Sequence, residues 1–152
     1  MTITVAAVGR LRAGPIRDLC ADYGRRLPWS VTWREVEEKR PLPPEGLKTR
    51  EGELLLAALP QGPPLIALDE RGRTLTSIQF SEKLASWREA GGGAAAFVIG
   101  GADGLHASVL NRAQFTLSLG AMTWPHMLVR ALLMEQLWRA HSIAAGHPYH
   151  RE

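Results

Sequence analysis

Short runs of apolar, β-branched residues recur along this chain, and between them lie stretches whose apolar residues repeat at helical spacing. Residues 2–8 (TITVAAV), 64–68 (PLIAL) and 94–99 (AAAFVI) are apolar on both alternating sets of positions. Runs of that kind look like buried strands. The runs 30–36 and 115–119 complete a set of five expected strands. Helices are expected over 15–26, 48–59, from Thr76 or Ser77 to Ala90, over 108–113 and over 125–144. In the first, Ile16, Leu19, Cys20, Tyr23 and Leu27 mark an apolar face; in the third, Phe80, Leu84 and Trp87 do. Strand and helix alternate throughout, so the fold expected is α/β, a mostly parallel sheet flanked by helices.

No repeat, low-complexity segment or linker divides the 152 residues, so they are expected to form one domain, residues 1–152. Pro41, Pro43 and Pro44 exclude regular structure over 40–46, and Asp69 to Arg73, with Gly72, reads as a solvated turn. No apolar run reaches the roughly 20 residues needed to span a bilayer, and the N-terminus lacks the basic start of a signal peptide. The single cysteine, Cys20, fits a reducing compartment. A cytoplasmic protein with no membrane partner is the expectation. The net charge of +3 is compatible with a polyanionic partner without demanding one.

Three segments carry candidate chemistry. Gly100, Gly101 and Gly104 follow the fourth strand, where α/β folds place ligands, and glycines let a ligand approach the backbone closely. Their spacing is not that of a dinucleotide fingerprint, and no phosphate-loop lysine follows. The stretch 117–126 (LSLGAMTWPH) leads from a strand end through small residues into Pro125; it suits either an adenine slot or a plain β–α connection packed on Met122 and Trp124. The tail, HPYHRE, is dense in aromatic, imidazole and guanidinium groups of the kind that stack on bases and hold phosphates. His147 and His150 flank Pro148 with no cysteine beside them, so no metal is expected there.

In order and spacing, VAAVGR (5–10), LIALDERG (65–72), FVIGGADGL (97–105), LSLGAMTWPHMLVRALLMEQLWRA (117–140) and the terminal HPYHRE resemble the RlmH family, small SPOUT-class methyltransferases of bacterial ribosomal RNA. The likeness covers essentially the whole chain. It implies a C-terminal trefoil knot, an exception to the rule that chains avoid threading. It implies an S-adenosyl-L-methionine pocket lined by Leu68, Gly100, Leu119, Gly120, Ala121, Met122, Thr123 and Trp124. It implies methyl transfer to N3 of a pseudouridine in 23S ribosomal RNA of the large subunit; with so little basic surface on the chain, assembled ribosomes rather than free RNA are the expected substrate. It also implies a homodimer in which one subunit holds the cofactor and the partner's tail shapes the RNA pocket. Leu128, Leu132, Met134, Leu137 and Trp138 of the last helix would supply apolar interface. Within that frame Arg139 and Arg151 are candidates to stabilise charge on the base, and Tyr149 and His150 to orient it. His150 or solvent would take the proton. An RNA-binding assembly factor on the same fold, or an enzyme using another adenine-containing ligand, would share these features but not the transfer of a methyl group.

Overall fold

The computed structural model describes residues 1–151. In chain order the elements are β1 (Thr2–Val8), α1 (Pro15–Arg26), β2 (Ser30–Val36), α2 (Pro44–Ala58), β3 (Leu65–Arg73), α3 (Ser77–Ala90), β4 (Ala94–Ile99), α4 (Ala107–Arg112), β5 (Phe115–Leu117) and α5 (His126–Ala145). The five strands form one sheet in the order β2-β1-β4-β3-β5, and every neighbouring pair is parallel.

The doubly apolar strands are explained by what covers them. Ile3, Val5 and Ala7 of β1 join Ile66, Leu68, Phe97 and Ile99 in a core completed by α1, α3 and α5. The alternate residues Ala6 and Val8 join Leu65, Ala67, Ala96 and Val98 under α2 and the short α4. β2, one of the two edge strands, keeps a half-exposed alternation.

Local signals set most boundaries. Thr76 caps α3: its hydroxyl accepts from the Gln79 N–H at 3.1 Å while the Gln79 side chain accepts from the Thr76 N–H at 2.9 Å. Gly146, at φ +70°, ends α5 in the left-handed conformation.

Several expected features come out differently. The segment 40–46 is not wholly irregular: α2 begins at Pro44, because a proline is accepted in the first helical turn, where its missing N–H has no partner to lose. The strand ending at Leu68 continues to Arg73, with a register shift that pairs both Leu68 and Arg73 with Leu117. Asp69 to Gly72 is therefore an excursion within the strand pair rather than a turn after it. Gly72 is needed there, since a Cβ would lie 2.4 Å from the Thr116 carbonyl oxygen. β5 stops at Leu117, and Ser118 turns away with its hydroxyl bonded to the Gly120 carbonyl at 2.9 Å. Leu19 is exposed, off the packed face of α1. Met134 and Leu137 are fully buried in the chain's own core and are not free for an interface; Leu128 and Trp138 are only partly covered.

Candidate active site

Strand register assembles the site. Leu68 pairs with Ile99 on β4 and with Leu117 on β5, so the chain leaving these three neighbouring strands does so side by side. Gly100 follows directly on Ile99, and Leu119 lies two residues beyond Leu117. Between them is a cleft of about 370 Å³. Leu68, Gly100, Leu119, Gly120, Met122, Thr123 and Trp124 all line it. Ala121 is brought into the same loop but not into the lining; it is exposed.

The glycine loop owes its shape to close backbone approach. Gly101 and Gly104 form an isolated bridge, the Gly104 N–H donating to the Gly101 carbonyl at 3.1 Å. A Cβ on Gly100 would sit 2.8 Å from the Gly104 carbonyl group, so any side chain must push the loop aside. On the opposite wall Trp124 is pinned by its indole N–H, which donates to the Leu119 carbonyl at 3.3 Å. Met122 is nonetheless 77% exposed and Trp124 41%. Two large apolar side chains held at the mouth of a cleft form a surface that a ligand's ring would cover.

Polar groups missed by sequence reasoning also converge here. Asp69 is no solvated turn residue: its carboxylate is 5% exposed and gripped by Arg71 through Nε at 2.8 Å and Nη2 at 3.0 Å. Burial alone would raise its pKa, but the hydrogen bonds from the Arg71 side chain and backbone outweigh it and hold the carboxyl below the usual range. Arg71 also donates to the Leu105 carbonyl at 3.2 Å, tying the β3 excursion to the glycine loop. Thr123 Oγ1 donates to Glu70 Oε2 at 3.3 Å, tying it to the far wall. His126, at the start of α5, lines the cleft; burial, helped by the nearby Arg130 charge, lowers its pKa.

Glu51 supports the glycine loop from behind. It is buried on α2, and a Cβ on Gly101 would lie 3.1 and 3.3 Å from its two carboxyl oxygens. Oε1 has no hydrogen-bond partner. Burial, and next the Asp103 charge, raise its pKa. Nothing in the sequence singles it out, since it stands among Lys48, Arg50 and Glu53 on a stretch that reads as a charged helix surface.

The tail residues lie elsewhere. Arg139 binds Glu135 Oε1 through Nε at 2.9 Å and Nη2 at 2.6 Å, and its Nη1 lies 3.1 Å from His150 Nδ1. The Tyr149 hydroxyl donates to the same Glu135 oxygen at 3.1 Å and lies 3.2 Å from the Tyr23 hydroxyl. Burial, then the Tyr23 and Glu135 contacts, push the Tyr149 pKa well up, so the phenol stays protonated. Arg151 is exposed. Arg139, Tyr149 and His150 thus form one cluster toward the C-terminal end of α5, whereas the cleft sits at its N-terminal end. At about 1.5 Å per residue, His126 and Arg139 are about 20 Å apart along the axis. The chain does not fold its tail over its own cleft. Among the described residues no group of three or more His, Cys, Asp or Glu gathers to hold a metal, and no helix is long and apolar enough to cross a membrane.

The family model described as Predicted SPOUT methyltransferase matches residues 1–150. The chain is 58% identical over 151 residues to the Ribosomal RNA large subunit methyltransferase H of Paramagnetospirillum magneticum, covering 99% of each chain. It is 54% identical to the protein of that name from Rhodospirillum centenum, again over 99% of each. A solved structure described as a probable methylase family protein from Haemophilus influenzae Rd KW20 shares the fold at a TM-score of 0.60 and 13% identity, covering 99% of this chain and 70% of that one. On this sequence match, and with a parallel sheet whose loops gather at one end around a glycine-lined cleft, the chain belongs to the SPOUT methyltransferase family.

Proposed function

We propose that the protein transfers a methyl group from S-adenosyl-L-methionine to N3 of a pseudouridine in 23S ribosomal RNA of the large subunit, as a cytoplasmic homodimer. The observation that carries this reading is the convergence of Leu68, Gly100 and the 119–124 loop on one cleft in a chain of this family. The cleft fits an adenosine-bearing donor: its volume lies in the range of small-molecule pockets. Inside a charged rim its walls include the apolar side chains of Leu68, Ile99, Leu117 and Leu119 and the bare backbone of the glycine loop, and the cradle at Gly100 is one that a Cβ would fill. The course of α5 from the β5 edge back to β1, where Arg130 donates to the Val8 and Gly9 carbonyls, supports the trefoil knot that the resemblance implies.

Bound there, the donor supplies a sulfonium-activated methyl group, an electrophile that needs no metal. The residues of the chain must align the base with it and exclude water, and that alignment is worth several kcal/mol of barrier. Leu68, Leu119 and Trp124 would hold the adenine end; the backbone around Gly100 would hold its polar edge. N3 must lose a proton while negative charge spreads to the flanking carbonyls. Arg139 and Arg151 of the partner subunit would face that charge. Tyr149 and His150 would orient the base, with Tyr149 kept neutral as a hydrogen-bond donor, and His150 or solvent would take the proton. Within one chain the tail packs on Glu135 and Arg139 rather than on the cleft lining, which supports this division of labour between two subunits. The modest net charge of +3 supports an assembled ribosome, rather than free RNA, as the substrate.

The test is transfer of labelled methyl from S-adenosyl-L-methionine to unmodified ribosomes and to isolated large subunits, with the modified base mapped by mass spectrometry. One methyl on N3 of a pseudouridine, with ribosomes preferred, is expected. Methyl on another base, or none on RNA, would refute the reading.

A further inference from the structure

The positive charge of this chain is concentrated in one stretch. Residues 10–34 hold six arginines and two aspartates, a net +4 against +3 for the whole chain, so the remainder is net −1. The cleft rim shares that deficit: Asp69, Glu70 and Asp103 face only Lys48 and Arg71, and Arg71 is already paired with Asp69. Phosphates of a polyanionic substrate find no attraction at the cleft itself.

They find it next door. A groove of about 690 Å³ runs between α1, β2 and the β1–α1 loop, lined by Arg10, Arg17, Arg25 and Trp33 among others. Among the described residues its only carboxylate is Glu35, which is already engaged: Oε2 accepts from the Leu11 N–H at 2.7 Å and from Arg130 Nη1 at 2.5 Å. Arg10 and Arg17 have no ion-pair partner among the described residues, and Arg25 reaches Asp22 only at 3.4 Å with its own side chain 71% exposed. The groove and the cleft adjoin. Gly9 lies against Met127 and His126, His126 lines the cleft, and Arg10 follows Gly9 into the groove.

We propose that this arginine groove binds the sugar–phosphate backbone of the RNA strand flanking the target base. The inference rests on the reading of the substrate as RNA. Contacts to phosphate position a nucleic acid without reading its sequence. The groove therefore supplies hold and register, while the cleft and the partner's tail supply the base-specific part. Free guanidinium groups suit this role because they pair with phosphate oxygens bidentately.

The experiment compares wild-type protein with the triple variant Arg10→Ala, Arg17→Ala, Arg25→Ala on unmodified ribosomes. KM for ribosomes is expected to rise about tenfold or more, with kcat within about twofold. The slope of log affinity for ribosomal RNA against log salt should become shallower by about 2. Thermal unfolding, S-adenosylhomocysteine affinity and dimer mass should not change. An unchanged KM and salt slope would overturn the proposal, as would conversion of the variant to a monomer, which would make the groove an interface between copies. If wild-type protein transfers no methyl but its RNA binding weakens on triple substitution, the methyl-transfer reading fails and this one stands. If wild-type protein does transfer methyl and the variant has equal KM, only the groove fails.

Discussion

Arg130, on the last helix, and Glu35, on the edge strand β2, meet at 2.5 Å across 95 residues of chain, with the arginine side chain 1% exposed. The same guanidinium donates to the Val8 carbonyl at 3.1 Å and the Gly9 carbonyl at 2.8 Å. One side chain thereby ties the start of α5 to the ends of β1 and β2. His126 and Val129, which line the cleft, precede it on the same helix. Glu35 is one-third exposed and keeps the Leu11 N–H, but removing the buried guanidinium strips the Val8 and Gly9 carbonyls of their donor and opens a void. Arg130→Ala is expected to lower stability by about 3 kcal/mol. Urea unfolding measures this; a loss below about 1 kcal/mol would show that the clamp contributes little.

Gly100 is the residue whose substitution most directly occupies the cleft. Its Cβ would already lie 2.8 Å from backbone atoms of Gly104 and 3.1 Å from Leu105 Cδ2. Gly100→Val should abolish S-adenosylhomocysteine binding in calorimetry while the far-ultraviolet spectrum stays native. Undiminished binding would remove the glycine loop from the cofactor site.

Deletion of residues 149–152 tests the tail. Tyr149 and His150 pack on Arg139, Glu135 and Tyr23 and do not line the cleft of their own chain. The truncated protein should fold and bind S-adenosylhomocysteine within about threefold of wild type, and lose at least about a hundredfold in methyl transfer. Full activity would end the tail's assigned role.

Glu51 predicts a pH dependence of stability. Its pKa in the folded chain is raised above the ordinary 4.5 by burial and by Asp103. Below the unfolded pKa both states are protonated and the residue costs nothing. As pH rises past that value, the unfolded chain ionises first and stability falls, until pH passes the raised folded pKa and the loss levels off. Glu51→Gln removes this contribution. The variant should gain on wild type in melting temperature between pH 4 and pH 8, and a constant difference across that range would contradict the assignment.

The strands were legible as short β-branched, apolar runs, and their parallel pairing because strand and helix alternate along the chain, which the two cores on opposite faces of the sheet bear out. The cleft residues were legible through resemblance, and the register of Leu68, Ile99 and Leu117 explains physically why they meet. The polar frame was not. Asp69 and Arg71 read as a hydrophilic turn because nothing local shows that β3 resumes pairing at Arg73. Arg130 and Glu51 carry no local signal, because the groups they lie against are on strands and loops far away in sequence. The partial interface error has the same origin: helical spacing marks Met134 and Leu137 as apolar but does not say which of two surfaces buries them.

The central claim is that one cleft is completed by the tail of a second chain, and subunit mixing tests it most directly. Protein carrying Gly100→Val keeps its tail but loses its cleft; protein lacking residues 149–152 keeps its cleft but loses its tail. Each alone should be inactive on ribosomes. Unfolded together and refolded as mixed dimers, they should recover about a quarter of wild-type methyl transfer, since half the dimers would hold one complete site of two. No recovery, in a mixture shown to contain heterodimers that bind S-adenosylhomocysteine, would contradict the shared site.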